Sequence, residues 1–136
     1  MAHWLVKSEP HKYSWDDLVR DGETVWDGVR NNQAAIYLRE MKVGDELFFY
    51  HSNEGLAVVG IAKVSAEHFI DPSDAKGRFP AVKVKPVRAL AHPVTLKAMK
   101  AEPALADLAM FRQFRLSVSP IDDAAWTHIL KMSEAA

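Results

Sequence analysis

The sequence predicts a small α+β domain with a barrel-like β core and short helices around it, on three observations. The chain has 136 residues, 49% of them hydrophobic, which is enough for one core and too few for two domains. Apolar residues recur at helical spacing near both ends and over residues 34–41. Between those stretches Phe48 and Phe49 sit side by side in a strand-like run and point to opposite faces. Both faces there need a cover, as in a central strand or a barrel.

Residues 3–7 read as a first strand. Ser14, with Asp17 three residues on, offers a capping box to a short helix that carries Trp15, Leu18 and Val19 inward and stops at Asp21 and Gly22. Residues 25–28 are too short and too close to glycine for a regular element, so Trp26 is expected in a loop. A second helix starts near Asn31 or Asn32 and buries Ala34, Leu38 and Met41, with Tyr37 beside them. Residues 46–52 and 56–64 form adjacent strands joined at Asn53, Glu54 and Gly55. Residues 71–80 are a polar loop. Residues 81–90 alternate Val82 and Val84 with Lys83 and Lys85 until Pro86 disturbs the register, which marks an edge or a bulge. Thr95 caps a short helix, Pro103 suits the first turn of another, residues 115–119 read as the last strand, and Asp122 caps a final helix with Trp126, Ile129 and Leu130 on one face. Trp4, Trp15 and Trp126 are assigned to the core.

The net charge of −1 hides an uneven distribution. Residues 75–101 hold seven basic side chains, Lys83, Lys85 and Arg88 among them, and no acidic one, whereas residues 1–74 hold 7 basic against 13 acidic. Such a strip fits either phosphate contacts or a solvated strand face. The opening Met-Ala-His-Trp-Leu-Val-Lys has neither the charged lead nor the apolar run of a signal peptide, and no stretch approaches the ~18 apolar residues of a membrane span. A soluble protein with no membrane partner is expected. The absence of cysteine removes disulfides, thiolate metal sites and a cysteine nucleophile, and fits the cytoplasm.

Little in the sequence points to catalysis. The six histidines never pair at the three- or four-residue spacing of a helical metal site, so no metal is expected. The six glycines form neither a dinucleotide fingerprint nor a phosphate loop, and no nucleophile elbow is present, so no cofactor is expected either. Ser8, Glu9 and His51 could converge as nucleophile, carboxylate and base, but their spacing does not require it. What stands out is a density of aromatic and hydrogen-bonding residues near strand ends: Trp4, Lys7 to Glu9, Trp26, Asp27, Arg30, Asn31 and Tyr50 to Ser52. That mixture suits a flat ring held by stacking and edge recognition.

These residues fall in blocks. Trp-Leu-Val-Lys-Ser-Glu-Pro at 4–10, Tyr13-Ser14, Asp17-Leu18 and Trp-Asp-Gly-Val-Arg-Asn at 26–31 resemble the signature of the EVE domain. Met-Lys-Val-Gly-Asp at 41–45, Phe-Tyr-His-Ser-Asn at 49–53, Val-Gly-Ile-Ala at 59–62 and Arg-Leu-Ser-Val at 115–118 continue it in order, so the resemblance spans nearly the whole chain. It implies a single domain of the PUA-like fold, a small twisted and nearly closed β-barrel surrounded by short helices, related to the YTH readers of methylated RNA, with a pocket for a modified base, most commonly modified cytosine in DNA. Carried over by position, Trp26 is the aromatic wall, Asp27 and Asn31 are polar pocket groups, Tyr50, His51 and Ser52 form the opposite strand, and Lys7, Ser8 and Glu9 complete the rim. Arg30, Lys83, Lys85, Arg88 and Arg115 are the candidates for contacts to the nucleic-acid backbone.

The chain departs from the family pattern in places. Asn32 stands where an aromatic is usual, Ala35 where an arginine is, and Gln113-Phe114 replaces the usual pair before the arginine of the last block. The single residues also have plainer readings: Trp26 as a core plug, Asn31 as a helix cap, His51 as a core histidine and Glu9 as a turn residue. The expected partner is nucleic acid with a modified base, DNA before RNA, held without catalysis. The alternatives are a nucleic-acid-processing enzyme using Glu9 or His51, and a protein-interaction domain with a vestigial pocket.

Overall fold

The computed structural model describes residues 2–113 and 115–134. Among these residues six strands, β1 (His3–Ser8), β2 (Thr24–Trp26), β3 (Glu46–His51), β4 (Ala57–Ile70), β5 (Pro80–Thr95) and β6 (Val118–Ile121), form one sheet in the order β2-β5-β4-β3-β1-β6. The β1 and β3 strands run parallel, with Lys7 opposite Tyr50 and Ser8 opposite His51, and all other pairs are antiparallel.

Alternation along the strands divides the core between the two faces of this sheet. Trp4, Val6, Leu47 and Phe49 face one way and meet Trp15 and Leu18 of α1 (Trp15–Asp21) and Ala34 and Leu38 of α2 (Asn32–Glu40). Leu5, Phe48 and Tyr50 face the other way and meet Met99 of α3 (Leu96–Lys100), Met110 of α4 (Ala109–Arg112), and Trp126 and Ile129 of α5 (Asp123–Glu134). Phe48 and Phe49 are both fully buried, as the adjacent pair required. Trp4, Trp15 and Trp126 are buried as well.

The expected near-closure of the barrel needs correction. Strands β2 and β6 are the two ends of an open sheet. Helix α2 packs against both β5 and β6, which lie toward opposite ends of the strand order, so the sheet curls around it without closing.

The expected helix caps form. Ser14 and Asp17 form a reciprocal capping box, Asn31 accepts from the Ala34 N–H, Thr95 from Ala98 and Asp122 from Ala125. Pro103 opens a single 3-10 turn over Pro103–Leu105. At Pro86 the ladder between β4 and β5 shifts register, which is the expected bulge.

Other expectations fail for physical reasons. Val19 is 53% exposed, because seven residues of helix turn it away from the sheet that buries Trp15 and Leu18. Trp26 lies in a strand and not in a loop, since three residues suffice when β5 supplies the partner, with Trp26 opposite Val82. The last strand begins at Val118 and not at 115, and Phe114 lies outside the described residues. Among the described residues no helix is long and apolar enough to cross a membrane.

Candidate functional site

Parallel β1 and β3 leave the sheet at the same end, and their exits are tied together where the Ser52 N–H donates to the Ser8 carbonyl at 2.9 Å. On the other side of β1 the Lys7 N–H donates to the Ser117 carbonyl at 2.9 Å. These exits, the end of β2 and the start of α2 surround a cleft of about 1080 Å³. Lys7, Ser8, Glu9, Trp26, Asp27, Arg30, Asn31, Ser52 and Arg115 of the residues singled out in the sequence all line it. Tyr50, His51, Lys83, Lys85 and Arg88 do not.

The polar groups are oriented by bonds they already make. The Ser8 hydroxyl donates to the Tyr13 carbonyl, which leaves its oxygen lone pairs for the cleft. Lys12, 3.0 Å from Glu9, holds that carboxyl below its usual range. Burial pulls the Lys7 ammonium below the ordinary lysine range. Asn31 spends its oxygen on the α2 cap at 2.9 Å, so its amide NH₂ remains for a ligand and the positive end of α2 opens at the cleft wall.

Trp26 is both core and wall. Its ring stands edge-on to Phe49 at 5.5 Å between centroids and it is only 8% exposed, yet it borders the cleft. Tyr13, half-buried and donating from its hydroxyl to Asp21 at 2.9 Å, is a second aromatic on the lining. It lay within the matched blocks but was not read as a site residue, because nothing in its spacing distinguishes a lining ring from a packing one.

Asp71 supports the cleft wall and was also missed. It is fully buried and accepts from the Gly28 N–H at 2.8 Å, Arg30 Nη1 at 2.9 Å, and both the N–H and the hydroxyl of Ser73 at 2.7 Å. Burial alone would raise its carboxyl, but the bonds from Ser73, Arg30 and Gly28 outweigh that and bring it down to about 2. Arg30 also lies over the Phe79 ring at 5.4 Å. The guanidinium expected on a phosphate is thus anchored within the protein.

The residues outside the cleft are displaced by strand alternation. Val82 and Val84 join Trp26 in the first core, so Lys83 and Lys85 emerge on the opposite face. Tyr50 is buried on that second face. His51 points toward α1, where its Nε2 accepts the Trp15 N–H at 3.1 Å. Burial lowers its pKa, against a smaller upward pull from Asp16. Ala35 is buried, so the arginine missing at that position removes no side chain from the cleft lining. Among the described residues no cluster of three metal-ligating side chains occurs.

A family profile described as EVE domain matches residues 2–132. Human thymocyte nuclear protein 1 is 32% identical over 98% of this chain and 74% of its own length. A solved protein from Rhodopseudomonas palustris is 47% identical with a TM-score of 0.93, covering 98% of this chain and 94% of its own. The crystal structure of human THYN1 protein in complex with 5-methylcytosine containing DNA superposes with a TM-score of 0.93 at 30% identity, covering 100% of this chain and 99% of its own. The fold extends to the Pho92 YTH domain, at 14% identity and a TM-score of 0.59.

Proposed function

Because this chain belongs to the EVE domain family, we propose that it is a single-domain nucleic-acid reader which holds a modified base, flipped out of its strand, in the cleft between β1, β2 and α2. The observation that carries the reading is the cleft itself, where the Trp26 indole borders groups able to read a base edge. The human relative, solved with 5-methylcytosine containing DNA, supports modified cytosine in DNA as the ligand, ahead of RNA.

A base in a duplex hides its edge and has to leave the stack to be read, and stacking on an aromatic returns roughly 1–3 kcal/mol of that cost. Trp26 and Tyr13 supply the rings. Asp27, exposed at the wall, accepts from the exocyclic amine of cytosine, and the Asn31 NH₂ donates to a ring nitrogen or carbonyl. Lys7, Ser8, Glu9 and Ser52 form the remaining rim. Backbone phosphate falls to Arg115, Lys12 and the N-terminus of α2, while Arg30 holds the wall in place.

Binding without turnover fits the acid/base candidates, since His51 Nε2 is engaged by Trp15 and Glu9 by Lys12. The cytoplasm remains the proposed compartment, while the vertebrate relatives carry a nuclear name.

Fluorescence anisotropy with matched modified and unmodified oligonucleotides tests the proposal. The modified strand binds about tenfold tighter or better, and Asp27→Ala on the exposed wall weakens modified and unmodified cytosine strands alike, because both bases carry the exocyclic amine, without unfolding the protein. Trp26→Phe, which keeps an aromatic against Phe49, weakens both strands. Equal affinity for modified and unmodified strands in the native protein would falsify the reading.

A further inference from the structure

A second cavity of about 250 Å³ lies beside the cleft and shares Lys7 and Ser52 with it. Leu96 of α3 and Met110 and Phe111 of α4 wall it, and the exposed Lys100 lines it too. Its one phenol is Tyr50, only 2% exposed. Among the described residues every side-chain oxygen closed off from solvent has a hydrogen-bond partner, but the Tyr50 hydroxyl has none, so that oxygen opens into the cavity. A buried tyrosine ordinarily pairs its hydroxyl within the protein. This one faces the cavity instead, where it can bond to an occupant.

The size and charge of the cavity define that ligand. A void of about 150 Å³ holds benzene, and drug-sized sites begin at about 300 Å³, so 250 Å³ suits one flat ring system. Among the described residues two ammonium groups, Lys7 and Lys100, line it and no carboxylate does, which favours a ring attached to an anion. The shared Lys7 and Ser52 place its occupant one side chain away from whatever fills the cleft.

We propose that this second cavity takes the base next to the one in the cleft, with the phosphate between the two nucleotides near Lys7, so that the protein reads two adjacent nucleotides. The proposal rests on the base-reading function above. Leu96, Met110 and Phe111 grip the ring, and the Tyr50 hydroxyl bonds to its edge.

The test uses single-stranded oligonucleotides carrying one 5-methylcytosine, 5-hydroxymethylcytosine or N6-methyladenine. The neighbouring base on either side is kept or replaced by an abasic linker. Affinity is read by anisotropy, and the Trp26 and Tyr50 ring signals by NMR. An abasic linker on one particular side weakens binding about tenfold, and the Tyr50 signals move only when that neighbouring base is present. Tyr50→Phe, which breaks no existing hydrogen bond, weakens the intact strand and leaves the abasic one unchanged. Binding that moves Trp26 but leaves Tyr50 still, with both abasic strands bound as well as the intact one, overturns the second subsite and spares the base reader. Failure of every strand to bind, with Trp26 unmoved, overturns both.

Discussion

Arg30 Nη1 stands 2.9 Å from the carboxylate of Asp71, which is closed off from solvent, and the same oxygen accepts the Gly28 N–H at 2.8 Å. Two residues of the cleft wall are thereby fastened to the loop after β4, more than forty positions away in the chain. Gly28 itself has φ +77, so the bond holds a turn that few other residues adopt.

Asp71→Asn keeps the shape and removes the charge. It is expected to lower stability by about 2 kcal/mol in urea titrations, less than for a fully buried pair because Arg30 is 40% exposed. Affinity for a modified oligonucleotide falls with it as the wall loosens.

The same carboxylate sets an acid limit. Its folded pKa of about 2 lies below its ordinary value of 3.8, so the folded state favours the charged form. The resulting stability is complete above about pH 5 and is lost as pH falls toward 2, a change of about 2 kcal/mol. Unfolding free energies measured across that window should slope less steeply in Asp71→Asn than in the native protein.

His51 remains neutral at pH 7, with its proton on Nδ1, because Nε2 accepts the Trp15 N–H. Burial lowers its folded pKa, so the stability it contributes is present above the unfolded value of 6.5 and is lost as pH falls below it. Long-range proton–nitrogen NMR would detect the Nδ1–H tautomer. An imidazolium at pH 6.5 or above would contradict the assignment.

Gly60 lies beneath the Trp15 indole, and a Cβ there would come within 2.6 Å of three ring carbons. Gly60→Ala forces that ring or the β4 backbone to move, costing roughly 1–3 kcal/mol. Trp15→Phe in the Gly60→Ala background should recover part of the loss, and calorimetric Tm values of the two variants decide the matter.

Lys83 and Lys85 emerge on the face opposite Trp26. Reversing both to glutamate is expected to change affinity for a short modified oligonucleotide by less than about twofold, whereas Arg115→Ala lowers it and flattens its salt dependence. A tenfold loss in the lysine double variant would show that the nucleic acid wraps around to that face.

The helix caps at Ser14, Asn31, Thr95 and Asp122, the buried indoles at 4, 15 and 126 and the paired phenylalanines at 48 and 49 were legible in the chain, because each rests on spacing or chemistry within a few residues. The matched blocks also located the cleft, since Lys7 to Glu9 and Trp26 to Asn31 are local runs that the fold carries to one place intact. Contacts that span long stretches of chain were not legible. Nothing near Asp71 in the sequence marks it as the anchor of Gly28 and Arg30, and nothing near Lys83 says that its neighbour Val82 faces Trp26. Strand pairing settled those points, along with the open sheet curled around α2 and the three-residue strand at Trp26. Short-range periodicity selects a side chain's environment, but which residue meets it across the sheet depends on register, and register exists only once the whole sheet has assembled.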